Sequence, residues 1–197
     1  MRTFHKIISF VFQPLLMPTF GMLILVNLEI FVYMPFIWRL IAIVGTFLFT
    51  GILPALPILL MMRRGEVSDL FISKREQRTL PYMFSLLAYV FWTVFMWKTL
   101  QLPLFMVYMG IGTAVSILLI TLINTKWKIS AHLSGVGGFA GGLFGISYQM
   151  AYNPVVFIIA VFSISALVAI SRIELKAHTP MQTLAGFSLG FVSIFIS

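Results

Sequence analysis

Runs of about 20 apolar residues, the length that crosses a ~30 Å hydrocarbon layer, recur along this chain with only short polar connections between them. No other feature limits its fold as strongly. Seven such stretches occupy residues 8–28, 35–62, 81–97, 103–123, 132–150, 154–170 and 180–196. A backbone buried in lipid has no water to bond, so each run must satisfy its own N–H and C=O groups, which a helix does. With 60% hydrophobic and only 9% charged residues, a water-soluble globule of this length is excluded. The expected fold is all-α: one polytopic transmembrane helix bundle of six or seven spans, forming a single domain over residues 1–197.

Three of the stretches carry features that bend this reading. Pro14 and Pro18 break the hydrogen-bond ladder of the first, which is therefore either kinked or re-entrant. The second exceeds the length of a span and contains Pro54 and Pro57, so it tilts, bends or projects. The fifth holds Gly135, Gly137, Gly138, Gly141, Gly142 and Gly145, small residues that let membrane helices approach closely or leave a groove for a hydrocarbon chain. Gly186 and Gly190 have the same spacing logic. Arg2 and Lys6 before an apolar run imitate a secretory signal, yet no small-residue cleavage site follows, so the run is read as the first membrane segment.

Sorting cations by loop gives a strong asymmetry. If all seven runs cross, one side receives Arg2, Lys6, Arg63, Arg64, Lys74, Arg75, Arg78, Lys126, Lys128, Arg172 and Lys176. The other receives Arg39 and Lys98, so eleven and two account for all 13 Lys and Arg residues. The positive-inside rule places the crowded side in the cytoplasm, in what is read as a bacterial cytoplasmic membrane. A re-entrant first segment inverts that assignment. Anchoring at helix ends explains Arg63, Arg64, Lys126 and Lys176 without further function. A net charge of +8 has no basic soluble module to present to nucleic acid; the lipid bilayer, with its anionic head groups, is the partner. Zero Cys removes disulfides, thiolate chemistry and Cys-ligated metals.

Three polar clusters, Lys74–Pro81, Lys128–His132 and Ser171–Gln182, fall on one face, because an even number of crossings separates them. Two of the three His residues, His132 and His178, lie in these clusters, and His5 does not.

Within them, I-S-A-H at residues 129–132 resembles the Pro-Ser-Gly-His motif of the type 2 phosphatidic acid phosphatase superfamily. S-R-I-E-L-K-A-H-T-P-M-Q at residues 171–182 resembles its Ser-Arg, five residues, His, three residues, Asp motif. K-R-E-Q-R-T-L-P at residues 74–81 is a looser counterpart of its first motif. The resemblance covers roughly residues 70–195 and implies a metal-independent membrane lipid phosphatase with no cofactor. His178 is then the nucleophile, forming a phosphohistidine, and His132 the acid that protonates the leaving alcohol. Lys74, Arg75, Arg78, Arg172 and Ser130 hold the phosphate, and the substrate is a phosphorylated membrane lipid, a monoester or a diphosphate.

The family's Asp is replaced by Gln182, which accepts the imidazole hydrogen bond but supplies no charge. Three readings stay open: Gln182 suffices, Glu174 or Asp69 folds back to supply the charge, or catalysis is lost. The competing class is a non-catalytic binder or transporter of anionic lipid. Prenyl transfer is disfavoured, because five acidic residues with no paired Asp motif cannot hold the magnesium ions that it needs.

Overall fold

The computed structural model describes residues 2–197 except 29, 30, 32 and 152. Among the described residues the chain is helical, with no strand: α1 (Arg2–Val11), α2 (Met17–Leu25), α3 (Phe36–Thr46), α4 (Leu53–Arg63), α5 (Thr79–Val94), α6 (Leu104–Asn124), α7 (Ala131–Met150), α8 (Val155–Glu174) and α9 (Pro180–Phe195). Five helical segments are long and apolar enough to cross a membrane: Arg2–Leu25, Phe36–Arg63, Arg75–Thr99, Leu104–Asn124 and Val155–Glu174. The remaining two differ for evident reasons. Glycines dilute the hydropathy of α7, and α9 is short at 16 residues.

The prolines act as local chemistry requires. Gln13 is extended, at φ −71° and ψ 147°, the conformation that a following proline imposes. The first span therefore breaks into α1, a tight turn at Pro14–Leu16 and α2. It nevertheless crosses the bundle. At one end, His5 and Ser9 of α1 meet Ser171 and His132; at the other, Leu25, Leu28 and Phe31 join a cluster with Leu100 and Leu102. The first segment is thus kinked and not re-entrant. In the second, Pro54 has no N–H to offer the Thr50 carbonyl, and the helix widens into a π-turn at Phe47–Ile52 between α3 and α4. The Thr50 hydroxyl turns back to the Thr46 carbonyl at 2.9 Å.

Helix α7 is the axis of the bundle, with Gly137, Gly138, Ala140, Gly141 and Gly142 all buried. Its tightest partner is α9. A Cβ on Gly137 or Gly141 would collide with the carbonyls of Phe187 and Phe191, and one on Gly186 or Gly190 with those of Ser130 and Ser134. Each helix lends glycines to the other's backbone, the close approach that small residues permit in lipid.

Successive long segments alternate direction. The N-termini of α1, α5, α7 and α9 and the C-termini of α4, α6 and α8 therefore gather at one end. Arg39 and Lys98 occupy the other, where Arg39 reaches Asn27 at 3.4 Å and Lys98 lies 3.6 Å from the centre of the Trp97 ring.

Candidate functional site

The crowded end is built around Arg78, which precedes α5 and is 2% exposed. Its Nε donates to the Ile72 carbonyl at 2.7 Å and its Nη1 to the Ile129 carbonyl at 3.1 Å. One side chain thereby ties the 64–78 loop to the linker before α7. Asn124, at the end of α6, joins them by donating to the Arg75 carbonyl at 3.1 Å.

Ser130 caps α7. It is fully buried, and its Oγ accepts from the Leu133 N–H at 3.4 Å, which leaves its own hydroxyl proton free to donate. Its backbone N–H reaches the Gln182 carbonyl at 3.3 Å. Two helix N-termini, those of α7 and α9, are so laced together, and the positive end of α7 points into the site.

The spacing from Arg172 to His178 has a geometric cause. After α8 the chain turns through Lys176, at φ 54°, in a Schellman motif: Lys176 N–H bonds Ile173 O at 2.8 Å and Ala177 N–H bonds Arg172 O at 3.0 Å. His178 N–H reaches the same Arg172 carbonyl at 3.3 Å. Five intervening residues are what this reversal needs to bring the imidazole back beside the arginine.

The tautomer of His178 follows from its neighbours. Gln182 Oε1 accepts from the Thr179 N–H at 3.2 Å, closing a capping box at the start of α9, so the atom facing the ring is an acceptor. His178 Nδ1, 3.2 Å from that oxygen, must carry the proton, and Nε2 is left with a free lone pair. Burial, then the charges of Arg78, Arg172 and Lys128, push the pKa of His178 down to about 3. The ring is neutral across the physiological range.

His132 is bound differently. Its Nε2 lies 3.1 Å from the Ser9 carbonyl, which can only accept, so Nε2 carries the proton and Nδ1 is the acceptor. The Phe71 ring neighbours both, 5.5 Å from the Arg172 guanidinium carbon and 5.9 Å from the His132 centroid. The two imidazoles lie within electrostatic reach of each other and of Arg78 and Arg172.

Arg172 is 3% exposed, and its Nε has no hydrogen-bond partner among the described residues. A buried, unpaired guanidinium N–H is costly, and a bound oxyanion would satisfy it. Burial and the like charges of Arg78 and Arg172 also press the Lys128 ammonium pKa downward. Such crowding of cations is a common mark of a binding site for anions.

Of the residues singled out from sequence, His132, His178, Gln182, Ser130, Arg78 and Arg172 converge here. Lys74 and Arg75 do not join them. Lys74 is exposed, and Arg75 spends its Nη1 on the Thr125 carbonyl at 2.9 Å and its Nε on Glu76 at 3.4 Å. Lys128, near enough for its charge to act on His178, Arg78 and Arg172, is the further cation of the cluster. Its sequence signal was its position two residues before Ser130 on an extended linker.

Neither Glu174 nor Asp69 reaches His178. Glu174 is exposed. Asp69 accepts from Phe71 N–H at 2.9 Å and from Ser73 N–H at 3.2 Å, holding its own loop. The α1 contacts through His5 and Ser9 were not foreseen either, although the two lie one turn apart on one helix face. In comparisons with known proteins, no family model, curated protein or solved structure matches this chain.

Proposed function

We propose that the chain is a membrane lipid phosphatase that cleaves a phosphomonoester, or a diphosphate, through a phosphohistidine. The observation that carries the proposal is the unpaired Arg172 Nε beside a neutral His178 whose Nε2 lone pair is free. Arg172, Arg78 and Lys128 neutralise the non-bridging oxygens, with the Ser130 hydroxyl and the α7 N-terminus adding donors. His178 Nε2 attacks phosphorus, an N–P bond forms and the P–O bond to the lipid alcohol breaks.

The departing oxygen needs a proton, and the neutral His132 offers none at Nδ1. His132 receives it from the substrate's phosphate monoanion and passes it on. Water then attacks the phosphohistidine and the N–P bond breaks; the water proton passes by way of His132 to the departing orthophosphate, and both imidazoles are restored. The crowded face is assigned to the cytoplasm on its cation excess.

The test is phosphate release in detergent from phosphatidic acid, phosphatidylglycerol phosphate, a phosphorylated inositol lipid and a polyprenyl diphosphate. Turnover is expected for the wild type and none for His178→Ala. No difference between the two proteins would overturn the proposal.

One observation favours a second reading, a non-catalytic binder of anionic lipid. Gln182 brings no charge to His178 and divides its oxygen between the ring and a helix cap. In that case Arg172→Gln abolishes lipid binding, while His178→Ala leaves it intact and no phosphate is released by either protein.

A further inference from the structure

Directly beneath the cationic site lies a second feature that its chemistry does not use. A cavity of about 180 Å3 lies between α2, α5, α6 and α7. Its roof is the site itself. Ala131, between Ser130 and His132, lines it, as does Tyr82, which faces Arg78 and Arg172. Its floor is Leu28, Met96 and Ile146 near the far end of the bundle. From Ala131 to Ile146 along α7 the chamber runs for about 22 Å, at ~1.5 Å per residue.

The wall is largely apolar, and most of its side-chain donors are bonded within the protein. Ser85 donates to the Pro81 carbonyl at 3.0 Å and Thr113 to the Met109 carbonyl at 2.7 Å. Ser116 and Ser134 bond each other at 3.0 Å, and Trp92 Nε1 donates to Thr46 at 3.0 Å. A wall so largely apolar favours hydrocarbon over water. Met17, Met22, Met96, Met106 and Met109 line it, and such flexible thioethers adapt to differing shapes.

Two glycines in the wall are not required by helix packing. A Cβ on Gly21 would come no closer than 3.5 Å to Phe139, and one on Gly142 no closer than 3.6 Å to Ile194. Unlike Gly137 or Gly190, they keep the bore open without holding helices together.

We propose that this chamber seats one hydrocarbon tail of the substrate. Resting on the phosphatase reading, this names the substrate class: an amphiphile with a terminal phosphate, one long chain of which threads between α2, α5, α6 and α7. The phosphoryl group stays under Arg78 and Arg172, and the chain descends past Tyr82 and Ala131. A tail held along its length fixes the phosphate against His178, so chain length feeds catalysis as well as binding.

Two measurements test it. Single-chain alkyl phosphates are compared on the wild type, Gly142→Leu and Gly21→Leu, from short, water-soluble members to long ones. Both substitutions are expected to lower kcat/KM for the long chains by about tenfold or more and to leave the shortest ester nearly unchanged. Equal losses for short and long chains, or no loss, would overturn the proposal.

The second measurement needs neither turnover nor a folded glycine variant. In a protein carrying Trp38→Phe, Trp97→Phe and Trp127→Phe, the remaining Trp92 reports on the chamber. An alkyl phosphate brominated near its terminal methyl is expected to quench that fluorescence saturably. A brominated detergent lacking phosphate quenches it only weakly. Absent or non-saturable quenching, or equal quenching by both probes, rejects the tail chamber even where phosphate is released. Saturable quenching without phosphate release leaves the chamber standing and removes the phosphatase.

Discussion

His178 owes its neutrality first to burial and then to three cations that are not hydrogen-bonded to it. Burial and the charges of Arg78, Arg172 and Lys128 hold its pKa at about 3, so the ring stays unprotonated well into acid, as the proposed nucleophile must. The acid limb of kcat/KM reports that free-enzyme value. Between pH ~4 and ~6.5, kcat/KM is therefore expected to show none of the decline that an ordinary imidazole of pKa ≈ 6.5 produces. Gln182→Asp places a carboxylate against Nδ1, favours the imidazolium and moves the limb to higher pH, with activity kept or raised. A pH–rate profile of the two proteins checks both the position and the sign of the shift. Arg172 gives a complementary test. Its buried charge has an unpaired Nε, so Arg172→Met is expected to leave the melting temperature unchanged or raise it. Turnover should fall by about 10²-fold or more, as when an oxyanion-stabilising donor is removed. Thermal unfolding and phosphate release on the same preparation separate the two effects.

At the scale of elements, the α7–α9 pair governs both fold and site. Gly186 and Gly190 lie against the carbonyls of Ser130 and Ser134, so the closeness of the helices also sets how Ser130 meets Gln182. Gly190→Val puts side-chain atoms where a backbone carbonyl already lies, and the helices must separate. The expected cost is at least about 3 kcal/mol, measured as a lowered unfolding midpoint in detergent. Gly142→Ala serves as the control, since its Cβ meets only ordinary contacts. The α1 helix matters in another way. Through Ser9 it fixes the His132 ring, and through His5, 3.1 Å from Ser171 Oγ, it grips the last turn of α8.

At the scale of the molecule, every connection that builds the site lies at one end of the bundle. Because the chain has no cysteine, single introduced cysteines report sidedness without background. Ser73→Cys and Lys176→Cys are expected to react with an impermeant maleimide from the same side of sealed vesicles, and Tyr33→Cys only from the opposite side. Labelling of Ser73→Cys and Tyr33→Cys from one side would contradict the alternation of spans. The same end-to-end polarity places an apolar chamber below a cationic roof, the arrangement on which the proposed amphiphilic substrate rests.

The helical class and most of the path were legible from the residues alone. Long apolar runs set the helices, five of them long and apolar enough to cross a membrane, the prolines set where two of them break, and parity of the runs put the three polar clusters on one face. These are consequences of local chemistry and of counting, and they need no knowledge of contacts. The motif residues were legible because each occupies a helix terminus whose caps and turns are set by near neighbours, as with Thr179 and Gln182 or Arg172 and His178. Tertiary structure alone decided which cations face the imidazoles. Arg75 and Lys128 are equally basic in sequence, yet the Thr125 carbonyl claims one and burial recruits the other. It alone decided that Ser9 holds His132 across 123 residues, and that four helices part to leave a chamber. Such contacts depend on how surfaces far apart in the chain fit together, and that fit is a property of packed volume, which no local pattern records.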